Sequence, residues 1–244
     1  MGLTLSDTIS FSSSATRLLR LSFAPRGMAT DGPIPFMHRP TGLFNPDAPL
    51  GHHIGQDVGH ISSTVFGASL FFGDTIVEAS AFLGREPQPT NIDLPLGVPN
   101  SFALRLTHRF TPWLLTSAAF AYVSDPEASG TVDRNLRASA SVYTEHTLPH
   151  GWRAHAALIW GGISGYEHSD FLSSLTGEFT FLDASNALWG RLEAVQRTGE
   201  QLAITGGDDD ERRWIGAITI GYTRKIATAG AYDFLVGASG SLTF

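Results

Sequence analysis

Asn135-Leu-Arg-Ala-Ser-Ala-Ser-Val-Tyr-Thr-Glu-His-Thr-Leu-Pro-His-Gly-Trp-Arg-Ala-His-Ala-Ala-Leu-Ile-Trp160 is the stretch from which the fold can be read. Leu136, Ala138, Ala140, Val142, Thr144 and His146 share one parity; Arg137, Ser139, Ser141, Tyr143 and Glu145 share the other. Leu148-Pro149-His150-Gly151 is a turn signal, after which Trp152, Ala154, Ala156, Leu158 and Trp160 alternate with Arg153, His155, Ala157 and Ile159. Side chains alternate across a strand, so this is an antiparallel hairpin with one small or apolar face and one polar, charged face. Each arm exceeds the usual globular strand of about 5–6 residues. About 9–11 alternating residues suit a tilted strand crossing a bilayer.

Working outward, the same unit recurs. Weak alternation runs from Leu3 to Phe11, and better strands follow at Arg17–Ala24, His60–Phe72 and Val77–Leu83. Ser101–Phe110 has the cleanest alternation, and Trp113–Val123 follows the Thr111-Pro112 turn. After the opening hairpin come Phe171–Leu182, Ala187–Thr198, Trp214–Arg224 and Tyr232–Phe244, with Gly161–Ser169 read as loop. Two loops are long: Pro25 to about Val58 holds six of the 13 prolines, and Arg85–Asn100 holds four. Every proline falls in an expected loop or turn, as its missing N–H demands of central strands. The sum is about 12 strands in a single domain spanning 1–244.

Composition narrows the class. Charged residues make up 16% of the 244 residues, below the roughly 25% of soluble domains. Cys is absent, which excludes disulfides and thiolate metal sites. No apolar run reaches the roughly 18 residues of a membrane-spanning helix. The net charge of −7, without a basic tract, speaks against a nucleic-acid partner.

Alternation alone leaves open which face is wet. A soluble β-sandwich or lipocalin-like barrel buries its apolar face; an outer-membrane barrel turns it to lipid. Aromatics gather at strand ends (Phe110, Trp113, Trp152, Trp160, Trp214, Tyr222, Tyr232, Phe244), where interfacial girdles belong. Loops alternate long and short, as extracellular loops and periplasmic turns do. The polar parity carries Arg20, Glu78, Arg105, Arg109, Arg137, Glu145, Arg153, Glu178, Arg191, Glu193 and Arg197, which read as a lumen with seven Arg against four Glu. The expected fold is therefore all-β, an antiparallel up-and-down transmembrane barrel in the outer membrane, with lipid and small solutes or ions as partners. Loop parity sends the last strand outward, so the barrel is expected to be incomplete, with an open seam between first and last strands.

The first long loop holds Pro35-Phe36-Met37-His38-Arg39-Pro40, Asn45-Pro46-Asp47-Ala48-Pro49, His52-His53, Asp57 and His60. His38, His52, His53, Asp57 and His60 are candidate ligands for Zn²⁺, Cu²⁺ or Ni²⁺ at the outer mouth, although exposed loop histidines, or histidines hydrogen-bonded in a loop folded into the lumen, are the stronger reading. No cofactor is required. With Gly84-Arg85-Glu86-Pro87, the series resembles that of a family of Gram-negative outer-membrane β-barrel proteins. The match covers Pro35 to about Pro87 by motif and the later strands by pattern. Where family members have Trp after the His pair this chain has Ile54, and Val58-Gly59 replaces Ser-Thr. The resemblance implies an outer-membrane barrel whose members extend past both ends of this chain; it brings no activity.

No Gly-x-Ser-x-Gly elbow or His-Glu-x-x-His zinc motif occurs, and an enzyme is not expected. His108 and His146 fall on the lipid parity and His155 on the lumen parity. Asp208–Glu211 reads as a solvated acidic loop, without spaced calcium ligands. A barrel of about 12 strands is readily narrowed by its own side chains, so the expected function is a narrow, weakly anion-preferring channel. The alternative is a non-conducting platform that binds metal or a partner through the first loop.

Overall fold

The period-two segments form twelve strands in a computed structural model, which describes residues 3–11, 16–45, 47–56, 62–85, 96–126, 134–165, 171–199, 201–203 and 211–244. They are β1 (Leu3–Ser10), β2 (Arg17–Gly27), β3 (Ser62–Phe72), β4 (Thr75–Leu83), β5 (Ser101–Thr111), β6 (Leu114–Ser124), β7 (Arg134–Thr147), β8 (Arg153–Ser164), β9 (Leu172–Leu182), β10 (Asn186–Arg197), β11 (Arg213–Ala229) and β12 (Tyr232–Thr243). Each strand pairs antiparallel with its sequence neighbours in one up-and-down sheet ordered β1 to β12. Among the described residues β1 and β12 do not pair with each other, so the sheet is left with an open seam. All the long connections, after β2, β4, β6, β8 and β10, leave from one end; the short turns occupy the other.

The faces differ as the alternation demands. Leu104, Leu106, Leu158, Leu192 and Ile220 on the outer face are 49–56% exposed. A row of large apolar side chains facing outward is what lipid accepts and water does not. Aromatics ring this face at both ends, with Phe110, Trp113 and Tyr222 near the short turns and Phe102 and Trp214 near the long loops.

The inner face is mixed rather than uniformly polar. Towards the long-loop end Phe82, Val123, Ile163, Leu172 and Val195 point inward and are buried. They form two apolar clusters, one with Ala24, Ala29 and Val65, the other with Ile54. Trp189 also points inward, its ring against Gly221, where a Cβ would clash with it.

Three boundaries differ from the sequence reading by three residues or more. β2 continues to Gly27 and includes Pro25, at an irregularity: Ala24 pairs with Val65, Arg26 with Ser63, and the β1 register shifts between Leu3 and Leu5. Proline fits there because no ladder N–H is required. β8 runs through Gly161–Ser164, where a loop was expected, because β7 supplies a continuous ladder: Gly161 pairs with Ser139 and Ile163 with Arg137. β11 extends past Arg224 to Ala229 with a bulge between Lys225 and Ala227, and this extension is paired with β12 as far as Ala229 opposite Tyr232.

The β9–β10 turn is closed by Asp183, whose carboxylate accepts the backbone N–H groups of Ser185 and Asn186, both at 2.7 Å, and the Asn186 side-chain amide. These bonds, Ser185 first, hold the carboxyl below its ordinary range. A depressed folded value stabilises fully above the unfolded pKa of about 4, and that stability is lost as pH falls through the folded value. Urea midpoints of wild type and Asp183→Ala should differ at pH 6 and converge below pH 4. A gap independent of pH would exclude this role.

Candidate functional site: a segment folded into the barrel

The connection after β2 does not hang over the mouth. It turns back into the lumen and meets strands from β4 to β10. Thr30 donates its N–H to Ser80 Oγ at 2.9 Å, and Asp31 pairs with Arg137 at 2.5 Å. Arg105 bonds Glu78 at 2.8 Å while its other arm reaches the carbonyls of Gly32 and Pro33 at 3.5 Å. A single short segment touching so many strands shows that the sheet curls around it.

The deepest contact is a buried charge cluster. Arg39 grips Glu178 as a fork, Nη2 to Oε1 at 2.7 Å and Nε to Oε2 at 3.0 Å, with both side chains at 0–1% exposure. Thr41 Oγ1 donates to the same carboxylate at 2.7 Å, and Arg191 Nε at 3.1 Å. Arg39 also donates to the Ile34 carbonyl, and Arg191 to that of Asp47, both at 2.8 Å. Four donors therefore meet one carboxylate, the arrangement that makes a buried ion tolerable.

A second anchor lies nearer the long-loop end. Leu50 donates its N–H to Glu193 at 2.6 Å and accepts from Arg197 at 2.8 Å. Ser174 Oγ donates to the Ile54 carbonyl at 2.7 Å, and Thr176 to Gln56 Oε1 at 2.8 Å. Backbone meets backbone here. A Cβ on Gly55, whose φ is +71°, would lie 2.6 Å from the Gly162 nitrogen, and one on Gly161 would strike the Ile54 carbonyl oxygen. Glycine on both sides permits the approach.

The eleven charged residues of the polar parity all lie on this inner face by register. Glu78, Arg105, Arg137, Glu178, Arg191, Glu193 and Arg197 are tied to each other or to the inserted segment. Among the described residues Arg109 and Arg153 have no acidic partner, and Arg20 lies over Phe71 at 5.3 Å from the ring centre. Glu145 stands 4.0 Å from His155.

His38 lies at the end of a 3₁₀ turn, Phe36–His38. His52 and His53 sit edge to face at 4.5 Å, in the turn packed against β8 and β9 towards the long-loop end. Asp57 and His60 lie outside the described residues. Among the described residues no three His, Asp or Glu side chains converge as a metal site. His108 and His146 face outward, His108 bonded to Thr75 at 2.8 Å and His146 against Trp113.

Sequence reasoning missed Asp31, Arg39, Thr41 and Gln56 as partners of the wall. The available signal was the imbalance of the wall itself, since unpaired buried charge calls for partners from elsewhere.

No family model and no curated protein matches the chain. Among solved structures it is similar to Salmonella typhi OmpF, in complex with daunomycin, with a TM-score of 0.50 and 9% identity over 100% of this chain and 89% of that one. It is also similar to OmpT of Vibrio cholerae in its trimer form, with a TM-score of 0.48 and 10% identity over 99% and 80% of the two chains. The strand order, the apolar outer face and the OmpF superposition give one result: the chain has the fold of an outer-membrane β-barrel.

Proposed function

We propose that this chain is an outer-membrane barrel that passes small anions through a narrow passage beside its inserted segment. The supporting observation is the distribution of unpaired charge along the lumen. Cavities of about 650, 370 and 470 Å³ line the inner face and share His38 in their walls. Arg20, Arg26, Arg109 and Arg153 border them without an acidic partner among the described residues, against Glu145. Glu78, Arg105, Arg137, Glu178 and Arg191 are held in ion pairs, and Glu193 and Arg197 both bond the Leu50 backbone, so the surplus that a permeating ion meets is positive, and charged linings select by sign.

The test is the reversal potential in planar bilayers under a KCl gradient. An anion-selective value is expected, moved towards zero by Arg109→Ser with Arg153→Ser. A cation-selective value would overturn the proposal.

The docking of Arg39 and Ile54 favours a second reading, a sealed barrel that serves as a binding platform. It predicts no conductance from a barrel that shows heat-modifiable migration. In that reading His38, His52, His53, Asp57 and His60 remain the candidate metal ligands, and calorimetric titration with Zn²⁺ would show binding lost in a His52/His53 double variant.

A further inference from the structure

The cavity of about 370 Å³ lies at the short-turn end, between residues 34–41 of the inserted segment and strands β5 to β8. Its size falls in the range of small-molecule sites, about 300–1,000 Å³. We infer that it is a binding site for a small monocarboxylate with an aromatic or branched apolar body.

The lining carries the argument. Ile34, Pro40 and Leu115 supply an apolar wall. Arg109 points in from β5 with no acceptor for its guanidinium among the described residues, and a free guanidinium beside an apolar wall matches a carboxylate by charge and fork geometry. In the same lining the Tyr143 hydroxyl is buried beside Ser141 and the Ile34 carbonyl, without a hydrogen bond of good geometry to either. A poorly satisfied buried phenol carries a desolvation cost that a ligand oxygen would relieve. Glu145 also borders the cavity. Its carboxylate opposes a second negative charge on the ligand, which disfavours dianions such as dicarboxylates or phosphate. One unpaired guanidinium, one phenol, an apolar wall and one repelling carboxylate together specify a singly charged, partly apolar acid.

This deepens the channel reading by naming a solute class, and it rests on the inner face being the wet one. Binding is measured without conduction, so the two readings fail separately. The full chain, folded in detergent and verified by heat-modifiable migration, is titrated calorimetrically with benzoate, its neutral isostere benzamide and the dianion phthalate. Saturable benzoate binding is expected, with benzamide and phthalate each at least about tenfold weaker. Arg109→Gln should weaken benzoate binding about tenfold or more, the loss expected of one charge-assisted contact, and Tyr143→Phe should weaken it a few-fold. Folding of both variants is checked by the same migration. Benzamide binding as tightly as benzoate, an affinity unmoved in Arg109→Gln, or no saturable binding to the folded barrel would each overturn the inference.

Discussion

Replacing Glu178 by Ala is expected to detach the inserted segment and open the lumen. Glu178 is the only anion that Arg39 and Arg191 contact among the described residues, and it also takes the Thr41 hydroxyl. Removing one member of a buried ion cluster leaves the others uncompensated and typically costs about 3–5 kcal/mol. The barrel itself does not have to bear that cost. Its ladder of β-pairs is unaffected, and the two guanidinium groups regain water if the segment withdraws. The cost should therefore surface mainly as undocking: a higher single-channel conductance, with a smaller fall in the urea midpoint than the cluster's loss alone implies. Glu178→Gln keeps the shape and the acceptor oxygen, and should lie between wild type and Ala. Wild-type conductance and stability in Glu178→Ala would mean that the cluster does not hold the segment in place.

Gly161→Leu should displace the same segment by sterics alone. The wall strand β8 and the turn at His52–Gln56 touch through glycine. A Cβ at Gly161 would meet the Ile54 carbonyl oxygen and come within 2.9 Å of Gln56 Cγ. Overpacking a close contact costs about 1–3 kcal/mol. Here it would also break the Ser174–Ile54 bond and pull Ile54 from its cluster with Ile163, Leu172 and Val195. The chain has no cysteine, so Ile54→Cys gives a clean reporter at a position that is 0% exposed. Maleimide should label it about tenfold faster or more when Gly161→Leu is present, since labelling follows the opening equilibrium. Equal rates would show that the glycine contact is not what seats the segment.

The two variants separate electrostatic from steric docking. Glu178 lies mid-barrel on β9 and Gly161 nearer the long-loop end on β8. If both raise conductance, the segment obstructs the lumen as one body. If only Glu178→Ala does, the obstruction is confined to the stretch around Arg39.

Much of the architecture was legible from the chain alone. Alternation at Ser101–Phe110 and across the hairpin Asn135–Trp160 names strands, faces and turns because it is a local property: each residue's side is set by its neighbour's. The outward leucines and the inward Arg and Glu follow from parity. The strand ends were harder. Gly161–Ser164 read as loop because glycine weakens strand propensity, and only the partner strand β7 shows that the ladder continues. Pro25 read as the end of β2 because a bulge opposite it leaves no local trace.

What the sequence determined by itself is the barrel: twelve alternating segments, their order, and an apolar face fit only for lipid. What the tertiary structure alone decided is what fills it. Arg39 and Glu178 stand 139 positions apart, and no periodicity links a loop arginine to a strand glutamate at that separation. His38, His52 and His53 belong to no metal site among the described residues, while the arginine beside His38 becomes the anchor. Local pattern sets which way a side chain points; which distant charge meets it is settled only when the sheet has curled and low-dielectric space forces every buried ion to find a partner.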